Sequence, residues 1–417
     1  MKKISIAVIG AGARGRYAYS SYALKNRDEV EIIAIAEPNE ERRVQFVKEH
    51  NIKDENVFYS WEEMMKRDKL ADAIIIANND EAHFEPTKIA LEKGYHILLE
   101  KPMSNNLYEV IKLGELAKKY NERVFMICHV LRYTPFFERL KEIIDSGELG
   151  KLINIQHNEN IGYWHFAHSF TRGNWRNSDE TSPLILAKSC HDMDILLWLT
   201  GAKCTKIASF GHLTHFKESF FERDNMSERC LECKVEEECP YSAKRLYLGE
   251  KPVFKSVVHP NPTPENLMWA LKNGPYGRCV YKCDNNVVDH MVTILDFDNE
   301  VTATFNLSAF TKDIHRTIKL MFTHGEVGGN DIENIIEIKR FGRDNSEIIK
   351  PKEVQGGHLG GDTGLMKDFL KAIRENDFNS RTSALRSIES HIMAFAAEES
   401  RVNSRVVNIN EFWKYNM

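Results

Sequence analysis

Apolar residues in the first third of the chain come in short β-branched runs, separated by amphipathic, charge-rich stretches. Ile4-Ile9, Glu31-Ala36, Ala73-Ala77, His96-Leu99 and Arg123-Cys128 read as strands with helical periodicity between them. Alternating β and α segments predict an α/β unit over residues 1–127, a parallel sheet with helices on its faces. After Leu131 the pattern changes. Leu152-Glu159, Lys206-Leu213, Val287-Phe297, Val301-Ala309, Thr317-Thr323 and Ile335-Arg340 follow one another with few helices between them, which predicts an α+β domain over 128–417 with a large, mostly antiparallel open sheet. Helices from Gly364 to about Asn376 and from Thr382 to about Asn403 close the chain. Neither an internal repeat nor a low-complexity linker is present, so the two domains are expected to pack closely.

Composition narrows the partner. The chain has 417 residues, 42% of them hydrophobic and 28% charged, ordinary for a globular protein of two domains. Its 56 Lys+Arg against 61 Asp+Glu, a net charge of −5, are interspersed without a basic block, which argues against a nucleic-acid or membrane-surface partner and for a small molecule. The longest apolar runs fall short of the roughly 18 residues that span a bilayer. Lys2-Lys3 ahead of an apolar stretch loosely imitates a secretory signal, but that stretch is short and merges into a glycine motif. Cys128, Cys190 and Cys204 are isolated in apolar surroundings, as expected in a reducing cytoplasm.

Gly10-Ala11-Gly12-Ala13-Arg14-Gly15 directly follows the first strand and opens a helix. In that setting the first glycine allows a tight turn, the second lets backbone approach a pyrophosphate, and the third permits close helix-sheet packing, with the phosphates on the helix N-terminus. This is the dinucleotide fingerprint of a Rossmann domain. Glu37 ends the second strand 22 residues beyond Gly15, where a carboxylate accepts both ribose hydroxyls of NAD and repels the 2′-phosphate of NADP. NAD is therefore expected over NADP. Arg42 and Arg43 follow, and read either as 2′-phosphate ligands or as a solvated helix face.

Ala77-Asn78-Asn79-Asp80-Glu81-Ala82-His83 and Gly94-Tyr95-His96-Ile97-Leu98-Leu99-Glu100-Lys101-Pro102, after the glycine motif and before a His-Asp-x-Asp helix, resemble the Gfo/Idh/MocA family, named for glucose-fructose oxidoreductase and inositol dehydrogenase. The resemblance covers nearly the whole chain. It implies a Rossmann domain, a second domain whose open sheet commonly serves oligomerisation as a dimer or tetramer, and a substrate held between them. It also places Asn78, His83, Glu100 and Lys101 at the cofactor, with Lys101 beside the nicotinamide and the substrate hydroxyl. Hydride removal from a carbinol carbon requires that the hydroxyl proton leave to a nearby group. A lysine of ordinary pKa about 10.4 serves better once burial beside a cationic ring lowers it.

Leu184 to Leu199 resembles the family's substrate helix, with His191 as its catalytic histidine. The aspartate common four residues earlier is Ala187 here. Lys188, three residues before His191 and on nearly the same helical face, is expected to join the catalytic group. The resulting cationic site would favour an acidic sugar, a carbonyl product with developing negative charge, or a different proton route.

Tyr163 to Arg176 is rich in aromatic, His and Arg residues for a loop. His165, His168, Arg172, Trp175 and Arg176 suit a carbohydrate, whose apolar ring face packs on aromatics while hydroxyls take directed hydrogen bonds; an aromatic packing loop is the plainer reading. His358, within Gly356-Gly357-His358-Leu359-Gly360-Gly361-Asp362, is expected in a loop over the pocket, or else in a helix-entry turn capped by Asp362 or Thr363. A cysteine-rich insertion at about 216–285 holds Cys230, Cys233, Cys239, Cys279 and Cys283. Three close cysteines plus one later match a structural zinc with Cys279 or Cys283 as fourth ligand, while free thiols, an iron-sulfur cluster and disulfides stay open. The whole predicts an NAD-dependent oxidoreductase acting on a hydroxyl of a sugar, glycoside or cyclitol. Two alternatives are a redox-neutral glycosidase that oxidises, eliminates and reduces in turn, and a non-catalytic sugar or dinucleotide sensor.

Overall fold

Six strands too short and too apolar to stand alone form one parallel sheet: β1 (Ile4–Ile9), β2 (Val30–Ala36), β3 (Val57–Phe58), β4 (Ala73–Ile76), β5 (His96–Leu99) and β6 (Phe125–Ile127). The computed structural model describes residues 3–250, 254–354 and 356–416; Lys2 of the signal-like start and residues 251–253 of the insertion lie outside them. Strand order is β3-β2-β1-β4-β5-β6, all parallel. The order reverses between β1 and β4, so a crevice opens at their C-terminal ends, where ligands of such sheets bind. All four residues of β4 are buried, as expected of a strand covered on both faces. Helix α1 (Ala13–Ser20) follows β1, wound with π-type hydrogen bonds, and α2 (Glu40–His50) follows β2, capped by the Asn39 side chain accepting from the Arg42 N–H at 3.0 Å.

The second sheet has nine strands, β7 (Leu152–Asn160), β8 (Cys204–His212), β9 (His290–Phe297), β10 (Thr302–Ser308), β11 (His315–Phe322), β12 (Gly325–Asn330), β13 (Ile335–Arg340), β14 (Ser346–Ile349) and β15 (Val407–Asn408). They run in the order β14-β13-β12-β11-β7-β10-β9-β8-β15, antiparallel except for the parallel pair β7–β10. Helices α3 (Cys190–Thr200) and α5 (Ala384–Asn403) pack together, α5 also against β8. Between them in sequence, α4 (Gly361–Glu375) buries Leu365, Met366, Phe369 and Leu370 in the same core as Ile4, Ile6 and Val8. A segment expected with the second domain thus completes one face of the first sheet.

Other departures from the sequence reading have local causes. β3 and β15 have two residues each, and β12 carries glycines at positions 325, 328 and 329, so none shows an apolar pattern. β9 begins at His290, later than the expected Val287, and the carboxylate of the preceding Asp289 accepts the Thr214 and His215 N–H groups, both at 2.7 Å. The expected loop after β7 is helical, one α-turn over Tyr163–Phe166 continuing as a π-turn over Ala167–Arg172.

Candidate active site

The first wall of the crevice is the glycine turn. Gly10 has φ +89°, and a Cβ there would meet the Ala77 carbonyl oxygen at 2.6 Å; a Cβ on Gly15 would stand 2.0 Å from the Gly10 carbonyl oxygen. Gly12 is the opposite case, with nothing within 4 Å of the added carbon, so the turn presents open backbone at the N-terminus of α1 with Ala13 exposed beside it. Glu37 is buried, accepting the Ala11 N–H at 2.7 Å and the Asn39 N–H at 2.8 Å. Arg43 is turned away, donating to the Glu37 and Pro38 carbonyls with its guanidinium over Tyr59. Asn78 donates to the Ala82 carbonyl at 2.9 Å, and its Oδ1 is buried without a partner, an acceptor that a bound ligand's N–H would satisfy. The turn, the acid and the orphan acceptor together fit a dinucleotide. His83 does not face the crevice: buried, with Nδ1 2.7 Å from the Pro102 carbonyl and Nε2 3.2 Å from that of Asn78, it splints the two loops from behind.

Lys101 leaves the end of β5 and crosses to the second domain, where its Nζ donates to the Ala187 carbonyl at 2.7 Å. Glu100 accepts the Lys101 N–H at 2.8 Å, Arg14 Nε at 2.6 Å and the Tyr19 hydroxyl. Burial alone would raise the Glu100 carboxyl, but Arg14 and then Lys101 pull it below the usual range. Arg14 also pairs with Asp362 at 2.8 Å and lies 3.2 Å from His358 Nδ1, tying the glycine turn to the start of α4. His358 and Leu359 stand in left-handed backbone, φ +47° and +51°, a conformation costly for such residues. Gly360 caps α4 without a side-chain bond, and Asp362 serves Arg14 and His358 instead.

His191 is buried on the first turn of α3, its ring 5.8 Å from that of His129 and 6.1 Å from that of His358. Burial, then the Lys101 ammonium and His129, hold its pKa well below the usual histidine value. The ring is therefore neutral at neutral pH and a weak base, and its Nδ1 is buried without a partner. Lys188 pairs at 2.9 Å with Glu159, which the two-residue period of β7 turns inward beside His157. Arg316, directly opposite Glu159 on β11, lies 2.5 Å from it and 2.7 Å from Asp192, whose other inward partner is His157 at 2.8 Å. The carboxylate absent at position 187 thus has a counterpart at Glu159, reached through Lys188. His165 is half-buried near Lys188 and Lys101, its pKa pushed far down by burial and then by Lys188.

Arg14, Glu100, Lys101, His165, Lys188, His191 and His358 therefore gather at one cleft. The remaining expected substrate ligands do not join them, because a helix radiates side chains that a loop could have aimed together. His168 is sandwiched between Phe254 at 4.4 Å and Tyr276 at 4.7 Å, with Nδ1 2.9 Å from the Tyr247 hydroxyl. Arg172 is buried in the cysteine-rich insertion and donates to the Arg278 and Tyr241 carbonyls. Trp175 Nε1 donates to the Asp80 carboxylate at 3.1 Å across the seam between domains, and Arg176 pairs with Asp284 at 2.8 Å. Glu159, Arg316 and His129 escaped the sequence reading; for the first, the only signal was the alternation His157-Asn158-Glu159 in a strand.

All eight cysteines are free. Cys230, Cys233, Cys239 and Cys279 line one cavity, while Cys283 turns its Sγ to the Cys279 carbonyl at 3.3 Å. Among the described residues no three of His, Cys, Asp and Glu are grouped as ligands of one metal ion, so the zinc expectation is unsupported. No helix is long and apolar enough among them to cross a membrane.

Two family descriptions match the chain: "Oxidoreductase family, NAD-binding Rossmann fold" over residues 4–128 and "GFO/IDH/MocA C-terminal domain" over 137–327. YteT of Bacillus subtilis is 23% identical over 326 residues, 75% of this chain and 74% of that protein. The 2,7-anhydro-N-acetylneuraminate hydratase of Mediterraneibacter gnavus is 23% identical over 236 residues, 54% of this chain and 57% of the hydratase. Among solved structures, levoglucosan dehydrogenase in complex with NADH and levoglucosan superposes with a TM-score of 0.72 at 16% identity, covering 98% of this chain and all of that one (100%), a likeness of fold.

Proposed function

Because the chain belongs to the GFO/IDH/MocA oxidoreductase family, with its NAD-binding Rossmann domain, we propose that it oxidises a ring hydroxyl of a sugar or related polyol, or reduces the corresponding ketone. One observation carries the reading: Lys101 and a neutral His191 converge where the end of β5 meets α3, beside the crevice of the glycine turn. NAD, when bound, supplies the hydride acceptor. Gly10, Gly12, Ala13 and Gly15 form the turn that receives its pyrophosphate, Glu37 its ribose hydroxyls and Asn78 Oδ1 a ligand N–H. Lys101 holds the substrate hydroxyl and, as the neutral amine left once its ammonium proton has gone to solvent, takes the hydroxyl proton, and His191 orients that hydroxyl. Lys188, neutralised by Glu159, positions the start of α3 and the edge of the pocket rather than adding free charge. His165 and His358 border the substrate.

The test is to incubate the protein with NAD and a panel of sugars, anhydrosugars, glycosides and cyclitols, following reduced nicotinamide and product release together. Net reduction of NAD with at least one polyol supports a dehydrogenase. The hydratase relative favours a second reading, transient oxidation with return of the hydride; conversion without net reduced nicotinamide would select it and remove the dehydrogenase. Activity with neither readout across the panel would leave a sensor.

Glu37 is proposed to set the preference for NAD. Glu37→Ser removes one charge-assisted acceptor and should weaken NAD binding about tenfold, the equivalent of roughly 1.4 kcal/mol, while raising relative use of NADP. The ratio of kcat/KM for the two coenzymes reads it, and an unchanged ratio would refute the role. Exposed Phe210, Val292 and Ile294 on the outer face of β8 and β9 support a homo-oligomer joined through the sheet, and free cysteines support a reducing compartment such as the cytoplasm.

A further inference from the structure

Arg172 poses a problem that the proposed hydride chemistry does not touch. Its guanidinium is permanently charged and only 1% exposed, yet among the described residues it forms no ion pair with a carboxylate. Nε donates to the Arg278 carbonyl and Nη2 to that of Tyr241, each at 2.7 Å; Nη2 also lies 3.4 Å from Cys230 Sγ, and Nη1 has no partner. A buried cation left uncompensated costs several kcal/mol, so an anionic neighbour is required. Glu236 borders the same cavity but is taken by Lys244 at 2.8 Å and by the Ser242 hydroxyl, and the other groups near the guanidinium that can carry negative charge are thiols and the Tyr247 phenol.

Those thiols are arranged around space. Cys230, Cys233, Cys239 and Cys279 line the same cavity as Arg172, with Val235 and Val280 among the apolar remainder, and its empty space, mouth included, is about 340 Å³. None of the four is in a disulfide. Two segments with little regular structure are brought together there by an isolated β-bridge between Arg229 and Arg278 and by the Cys279 N–H donating to the Glu228 carbonyl at 2.8 Å. That bridge sets Cys279 beside Cys230, and it is Cys279 rather than Cys283 that lines the cavity.

We propose that Cys230, Cys233, Cys239 and Cys279 bind an iron–sulfur cluster, with Arg172 as its buried counter-charge and an N–H donor to its sulfurs. A lone zinc ion draws its four sulfurs to about 2.3 Å from a single point. Here four cysteines line one cavity, yet among the described residues no three of them form a group suited to a single ion, and a core of several irons asks only one thiolate of each. Four thiolates on such a core leave net negative charge, which is what Arg172 lacks, and N–H groups directed at sulfur are among the usual means by which a protein holds and tunes a cluster.

The test is metal analysis of the full chain, purified and reconstituted with iron and sulfide under anaerobic conditions. Iron and acid-labile sulfide in equal amounts, about four of each per chain for a cubane core, with the broad visible absorption of a thiolate-bound cluster, are expected. The double variant Cys230→Ser, Cys239→Ser should lose that absorption and Cys283→Ala should keep it. Zinc without sulfide, a chain that takes up no iron, or absorption that survives the double variant would each overturn the proposal, and the wild-type measurement depends on no variant folding.

Discussion

Lys101→Met is expected to lose between about a hundredfold and about ten-thousandfold in kcat, the range typical of removing a proton-transfer group, with NAD affinity nearly unchanged. Methionine matches the length of lysine and fills the same channel past β5, but carries no proton. The wild-type ammonium donates to a peptide carbonyl at Ala187, a neutral partner, where a carboxylate would have neutralised it. The second lysine does not substitute, because Lys188 is paired with Glu159. The glycine turn and Glu37 lie on other loops, so coenzyme titration by fluorescence should be close to wild type. Turnover at the wild-type rate with saturating coenzyme and polyol would remove Lys101 from the chemistry, and loss of NAD binding would move it to a cofactor role.

Lys101 and His191 were singled out only by the family resemblance, whereas the glycine turn and Glu37 could be read from chain-local geometry: a strand, a turn and a helix start at fixed spacing. The parallel sheet was legible for the same reason, since each βαβ unit closes within a few dozen residues. Residues that act through strand register were not. Glu159 and Arg316 face each other across β7 and β11 and are far apart in sequence, so only the fold pairs them. The aromatic segment misled in a different way. Its composition suited a sugar, but Tyr163–Arg172 winds into a helix, and only His165 reaches the cleft while His168 and Arg172 are drawn into the insertion. The cysteine spacing put Cys230, Cys233 and Cys239 close together, but only the fold shows that Cys279 lines the same cavity, brought there beside the bridge between residues 229 and 278.

Arg316→Met is expected to destabilise the protein by about 3–5 kcal/mol at neutral pH, the cost of leaving buried charge without its partner. Arg316 serves two fully buried carboxylates, Glu159 at 2.5 Å and Asp192 at 2.7 Å, leaving Lys188 for one and His157 for the other once it is gone. In the wild type, burial would raise Asp192, but Arg316 and His157 hold it well below the ordinary carboxylate range. Its stabilising contribution is thus present in full above that range and is lost as pH falls from there down to its lowered folded value. Glu159 is already raised by burial against the pull of Arg316 and Lys188. With the guanidinium removed, burial raises both carboxyls, so the folded variant binds protons more tightly than its unfolded chain and gains stability as pH falls toward about 4. The difference between the two proteins should therefore be largest near pH 7 and shrink on acidification. Urea unfolding at about pH 7 and about pH 4.5 measures it. A variant as stable as wild type at neutral pH, or a gap that does not change with pH, would show that Lys188 and His157 suffice and that Arg316 is not what holds the sheet to the start of α3.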